Sequence, residues 1–121
     1  MKTILVVENY KNHGLLYEEE FRREGYKVML ARNGREAIEK INEQIPDIMI
    51  TEITTPILDS IEAINMSRKL FKLSKIPIII NTAYDDYEER FFPWSAEACI
   101  VKSSDLGELK NKTKELLGKN V

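Results

Sequence analysis

The chain has a single cysteine, Cys99, so no internal disulfide can form and the thiol has no cysteine partner for a metal site. It lacks an excess of either charge: 18 basic and 20 acidic residues leave a formal net charge of −2, which removes the electrostatic case for nucleic-acid binding. No apolar run approaches the length that crosses a bilayer, and Met1-Lys2 leads straight into a short strand-like run. Neither a membrane anchor nor a signal peptide is expected, and a reducing cytoplasm fits the cysteine usage. There is no internal repeat, linker or low-complexity segment. What remains is 121 residues, 43% hydrophobic and 31% charged, the composition of one globular domain over residues 1–121. A chain of that size buries roughly two-thirds of its unfolded surface and needs no staples.

Short apolar runs alternate with stretches of helical period. The runs are Ile4-Leu5-Val6-Val7, Val28-Met29-Leu30, Ile48-Met49-Ile50, Ile76-Pro77-Ile78-Ile79-Ile80 and Ala98-Cys99-Ile100-Val101. Continuous apolar strands of this kind fit a parallel sheet covered on both faces. Between them, His13, Leu16, Tyr17 and Phe21 predict one helix, stopped by Gly25. Ala37, Ile38 and Ile41 predict a second helix, which Pro46 bars from continuing past Ile45. Ile61, Ile64, Leu70 and Phe71 mark a third, and Asp85 to Trp94 begins as an acidic helix that Pro93 ends or bends. A last helix follows an Asp105 cap and carries Leu106, Leu109, Leu116 and Leu117. Five such alternations imply a doubly wound α/β domain.

In open sheets of this class the working crevice lies beyond the carboxyl ends of the strands. That rule selects Glu8 and Asn9 after the first strand, Glu52 to Asp59 after the third, Thr82 and Ala83 after the fourth, and Lys102 after the fifth. Carboxylates, a hydroxyl and a lysine would converge at one end of the sheet.

From Lys2 to about Leu117 the chain resembles the receiver (response-regulator, chemotaxis-regulator-like) family of two-component signalling. The resemblance rests on Ile4-Leu5-Val6-Val7-Glu8-Asn9, on Pro46-Asp47-Ile48-Met49-Ile50-Thr51-Glu52 with Pro56 four residues later, on Thr82-Ala83 and on Val101-Lys102. It implies a five-stranded parallel sheet of order 2-1-3-4-5 with helices on both faces, the flavodoxin-like receiver fold. It also implies a phosphoryl switch. An acidic pair and an aspartate hold Mg²⁺, the aspartate takes the phosphoryl group, a lysine neutralises charge, and a threonine bonds the phosphate.

The chain departs from that pattern at three positions along the path from metal to readout. Glu52 stands at the phosphoacceptor position, where its extra methylene sets the carboxylate about 1.5 Å further out. In-line attack tolerates errors of ~1 Å poorly. Asn9 falls on the second acidic position and brings no charge, while Glu8 keeps the first. Cys99 replaces the aromatic that follows the threonine's movement, and Ser103 replaces the proline after the lysine. Any remaining Mg²⁺ site would draw on Glu8, Asn9, Glu52 and the backbone carbonyl of Thr54, and would be weak. No other cofactor is implied. Glu52 is expected either to pair with Lys102 or to hold its carboxylate near where a phosphoryl group would sit, locking an active-like state. Thr82, Ala83 and Lys102 match the family's switch and phosphate-binding positions.

Plainer readings stand beside these. Thr82 could serve as a turn hydroxyl bonding its own backbone. His13 is expected to pack, partly buried, on its helix stripe, and Cys99 to pack as a small hydrophobe. Phe91, Phe92 and Trp94 crowd a short segment, and divide between core packing and an exposed anchor for a partner.

The favoured function is an atypical, non-enzymatic receiver acting through protein contacts. Its partner is expected to be a histidine kinase or another signalling protein, with homodimerisation through the fourth-helix, fifth-strand and fifth-helix face; nucleic acid and membrane are not expected. The first alternative is a phosphorelay receiver that still accepts a phosphoryl group with Mg²⁺, on Glu52 or, less suitably, Asp59. The second is a flavodoxin-like cofactor protein. Its phosphate loop would need hydroxyl and glycine residues where Glu8-Asn9-Tyr10-Lys11-Asn12 stands.

Overall fold

A computed structural model describes residues 1–52, 76–82 and 97–118. They form β1 (Thr3–Val7), α1 (Lys11–Arg23), β2 (Lys27–Ala31), α2 (Gly34–Glu43), β3 (Ile48–Thr51), β4 (Ile78–Thr82), β5 (Ala98–Val101) and a C-terminal helix, α3 (Gly107–Gly118). The helix expected around Ile61 to Phe71 and the segment from Asp85 to Trp94 lie outside the described residues.

The strands form one parallel sheet of order β2-β1-β3-β4-β5, as expected for a doubly wound domain. β-Branched residues dominate β1, β3 and β4, whose residues are all buried, as suits the inner strands of a parallel sheet. Ile4, Val6, Ile48, Ile50, Ile79 and Ile100 point to one face, where α1 contributes Tyr17 and Phe21 and α3 contributes Leu109, Leu116 and Leu117. Leu5, Val7 and Met49 point to the other, against Ala37 and Ile41 of α2. Alternate residues of one strand thus serve two cores, the period-2 consequence of the pleat.

The helix ends follow local chemistry. Glu24 caps α1, and Gly25 then takes φ +94°, a left-handed conformation that costs glycine nothing. At α2, Asn33 Oδ1 accepts the Glu36 N–H at 2.9 Å, and Glu36 reaches back to accept the Arg32 N–H at 3.0 Å. Donors that the helix cannot satisfy internally are met on both sides of the first turn. Asp105 Oδ1 accepts the Gly107 N–H at 2.8 Å, so the expected aspartate does serve the start of α3.

Two expectations need correction. β4 starts at Ile78 rather than Ile76, because its ladder with β3 begins at the Met49–Ile78 pair and the preceding Pro77 has no N–H to donate. The buried stripe of α1 is Gly14, Tyr17 and Phe21; Leu16 is 44% exposed and His13 is exposed as well. Glycine at position 14 carries no apolar side chain, so the stripe's first member was invisible to a search for apolar periodicity.

Candidate functional site

The backbone ladder runs one residue past the strand ends and fixes the site there. The Glu8 N–H donates to Ala31 O at 2.9 Å, the Glu52 N–H to Val7 O at 2.8 Å, and the Lys102 N–H to Thr82 O at 2.6 Å. Each chemistry-bearing residue therefore sits on sheet backbone rather than on a free loop, at the carboxyl end that doubly wound folds use.

From that frame Glu8, Glu52 and Lys102 converge. Lys102 Nζ lies 2.9 Å from Glu8 Oε2 and 3.3 Å from Glu52 Oε2. The side chains of Glu8 and Glu52 are 2% and 1% exposed, and that of Lys102 is 11%. Both carboxyl groups are thus held out of water beside one ammonium. Burial works against the charged lysine, but the hydrogen bond to Glu8 and the charges of Glu52 and Glu8 outweigh it and hold its pKa above the ordinary lysine value. The second oxygen of Glu8, Oε1, accepts the Tyr10 N–H at 3.1 Å, which ties the carboxylate to the start of α1.

Of the remaining expected site residues, Thr82 is the last residue of β4 and fully buried, while Asn9 is exposed. Cys99 is half-buried on β5, between the buried Ala98 and Ile100, in keeping with a small packing residue. Thr54, Asp59, Ala83, Phe91, Phe92 and Trp94 lie outside the described residues.

Three participants were not anticipated. His13, expected to pack against the core, instead stands over the pocket, with Nδ1 2.9 Å from Lys102 Nζ and 3.9 Å from Glu8 Oε1. The first turn of α1 rises from the carboxyl end of β1, which carries an exposed residue at its start across the site. Lys102 Nζ also lies 5.4 Å from the centre of the Tyr10 ring, within cation–π range. Below, the buried Tyr17 phenol stands close to the Asn81 side chain. Burial raises its pKa, Asn81 and Lys102 opposing and the charges of Glu8 and Glu52 adding to the rise. Tyr17 reads in sequence as one more aromatic of a helix stripe, so nothing there signals its polar partner.

A family model for the response regulator receiver domain matches residues 4–114. The chain belongs to that family. It is a receiver domain of two-component signalling, with the flavodoxin-like fold its strand order implies. Its described residues are similar in arrangement to the response regulator TrrA of Thermotoga maritima, solved in complex with Mg²⁺ and BeF: 38% identity, TM-score 0.85, covering 96% of this chain and 99% of that one. TrrA has also been solved in complex with the histidine kinase ThkA. The polar-differentiation response regulator DivK of Brucella anthropi is 28% identical over 97% of both chains. Other curated relatives are longer: this receiver spans 56% of the probable transcriptional regulator ycf29 of Porphyra purpurea, at 31% identity, and 26% of ZraR of Klebsiella oxytoca.

The family's Mg²⁺ is a poor fit to the described donors of this receiver. The two carboxylates already share an ammonium, and the amide at position 9 is exposed and uncharged. Among the described residues, no three acidic, histidine or cysteine side chains gather closely enough to hold a metal ion. Mg²⁺ demands several hard oxygens in near-octahedral array, and one oxygen of each carboxylate already faces the ammonium. No helix among the described residues is long and apolar enough to cross a membrane.

Proposed function

We propose that this receiver works as an atypical member of its family: a binding module whose pocket is closed by an internal ion pair and which signals through protein contacts rather than by Mg²⁺-dependent phosphoryl transfer. The observation that carries this reading is the Lys102 ammonium seated between the buried carboxylates of Glu8 and Glu52. Glutamate at position 52 has the reach to meet the lysine itself, and Asn9 withholds the charge that would draw a cation into competition. In this reading the domain is not an enzyme, binds Mg²⁺ weakly at most, and resides in the cytoplasm. Its partner is a histidine kinase or another signalling protein, a class supported by the TrrA–ThkA complex. The face that includes β5 and α3, with Phe91, Phe92 and Trp94 nearby in sequence, is the proposed contact for an output partner or a second copy.

The test is a titration of the natural protein with Mg²⁺ and beryllofluoride, beside a Glu52→Asp, Asn9→Asp double variant. Binding restored only in the variant is the expected result. Equal binding in both, or an acid-labile phosphoryl adduct on Glu52 after treatment with a small phosphodonor, would return ordinary phosphorelay function to first place.

A further inference from the structure

A lysine ammonium carries three N–H donors and no acceptor. Lys102 has three acceptors within reach: Glu8 Oε2 at 2.9 Å, Glu52 Oε2 at 3.3 Å and His13 Nδ1 at 2.9 Å. Because lysine can only donate, His13 Nδ1 is the acceptor in this contact. Of the three acceptors, Glu8 and His13 lie at hydrogen-bond distance and Glu52 contributes its charge. The Tyr10 ring centre stands 5.4 Å from Nζ.

The three acceptors differ in what it costs to remove them. Glu8 and Glu52 are sequestered from water, and pulling either away would strand a buried charge. The His13 side chain is 49% exposed and exchanges its bond to Lys102 for bonds to water at little cost. An incoming tetrahedral oxyanion is repelled on the carboxylate sides, and among the described residues His13 is the exposed partner of the ammonium that it would displace.

We propose that His13 is a positioning residue that guards this pocket: by taking a donor of Lys102 it competes with a phosphate-like oxyanion for the lysine. The inference concerns the same pocket as the proposed function and rests on its closed ion pair, but not on the metal chemistry. It adds a second barrier, in the first turn of α1, to the barrier that Glu52 supplies. An exposed histidine can be drawn aside by a partner that docks on α1, and the pocket would then open without rearrangement of the sheet.

The test compares the natural protein with His13→Ala and His13→Gln, titrated with inorganic phosphate without Mg²⁺ at about pH 8, where an ordinary imidazole is neutral. The readout is the Lys102 Nζ resonance in ¹⁵N-labelled protein. It reports the ammonium's own partners and is indifferent to a purely structural role of residue 13. The alanine variant should bind phosphate about three- to tenfold more tightly, the range of losing one hydrogen bond to a charged group at a half-exposed site. Glutamine keeps an acceptor of similar reach and should return affinity close to that of the natural protein. Unchanged or weaker binding in the alanine variant overturns the proposal, as does no binding in any of the three. Equal gains in alanine and glutamine also overturn it, since bulk rather than the acceptor would then be at work. Failure of the proposed function instead appears as Mg²⁺-dependent beryllofluoride binding to the natural protein, which this metal-free comparison does not touch.

Discussion

Lys102 and Glu8 form a nearly buried ion pair, Nζ to Oε2 at 2.9 Å, although they stand at the ends of the fifth and first strands. The pair closes the carboxyl edge of the sheet across β3 and β4, and it fixes the cost of disturbing the site.

Removing the cation should be expensive. Lys102→Met keeps the stem's bulk but leaves two buried carboxylates facing each other, and breaking a buried pair from one side typically costs ~3–5 kcal/mol. Urea denaturation should show a loss of that order. Adding Glu52→Gln to the methionine variant should recover part of it by removing one stranded charge. A loss below about 1 kcal/mol, the range of an exposed pair, would mean that solvent reaches the cluster freely.

Alkaline pH should weaken the fold through two groups at this end. Lys102 has its pKa raised because the hydrogen bond to Glu8 and the carboxylate charges outweigh burial, and Tyr17 has its pKa raised first by burial. A raised folded-state pKa favours the protonated form. The stabilisation is thus complete below the unfolded values, about 10 for tyrosine and about 10.4 for lysine, and is lost as pH rises through the folded values. Denaturation midpoints measured from neutral pH to about pH 11 should fall only at the alkaline end, and less steeply in Lys102→Met. Ultraviolet titration should find Tyr17 ionising later than an exposed phenol.

The buried Tyr17–Asn81 contact predicts a non-additive pair. Tyr17→Phe removes the phenol nearest the buried Asn81 amide and should cost ~1–3 kcal/mol if the two groups satisfy each other. Asn81→Val alone strands the phenol at comparable cost. The double variant removes both polar groups and should lie closer to the natural protein than the two losses summed, by a coupling of about 1 kcal/mol in a double-mutant cycle. Strict additivity would show that the two side chains do not depend on each other.

Gly25 provides a backbone prediction. At φ +94° and with open space where a Cβ would stand, Gly25→Ala meets no clash but takes on left-handed strain. A loss of ~1 kcal/mol in thermal or chemical denaturation is expected. Gly25→Asn should cost less, since asparagine tolerates that region.

The five strands, the three described helices, the strand ends that carry chemistry and the identity of the family were legible in the sequence. Each is written in local pattern: β-branched runs such as Ile4 to Val7, the Asn33 and Asp105 caps, the Gly25 stop, and Glu8, Glu52, Thr82 and Lys102 at the strand ends. Those signals need no knowledge of what lies across the sheet. Tertiary structure alone decided how the site is wired. Periodicity placed His13 on a buried stripe, because it counts apolar side chains and cannot register Gly14 as a packing position. The rotation of α1 that buries Gly14, Tyr17 and Phe21 is what turns His13 over the pocket. The approach of Glu52 to Lys102 depends on a distance between residues fifty positions apart. The third partner of the ammonium and the phenol–amide contact beneath it arise where separate elements meet, which no single stretch of chain encodes.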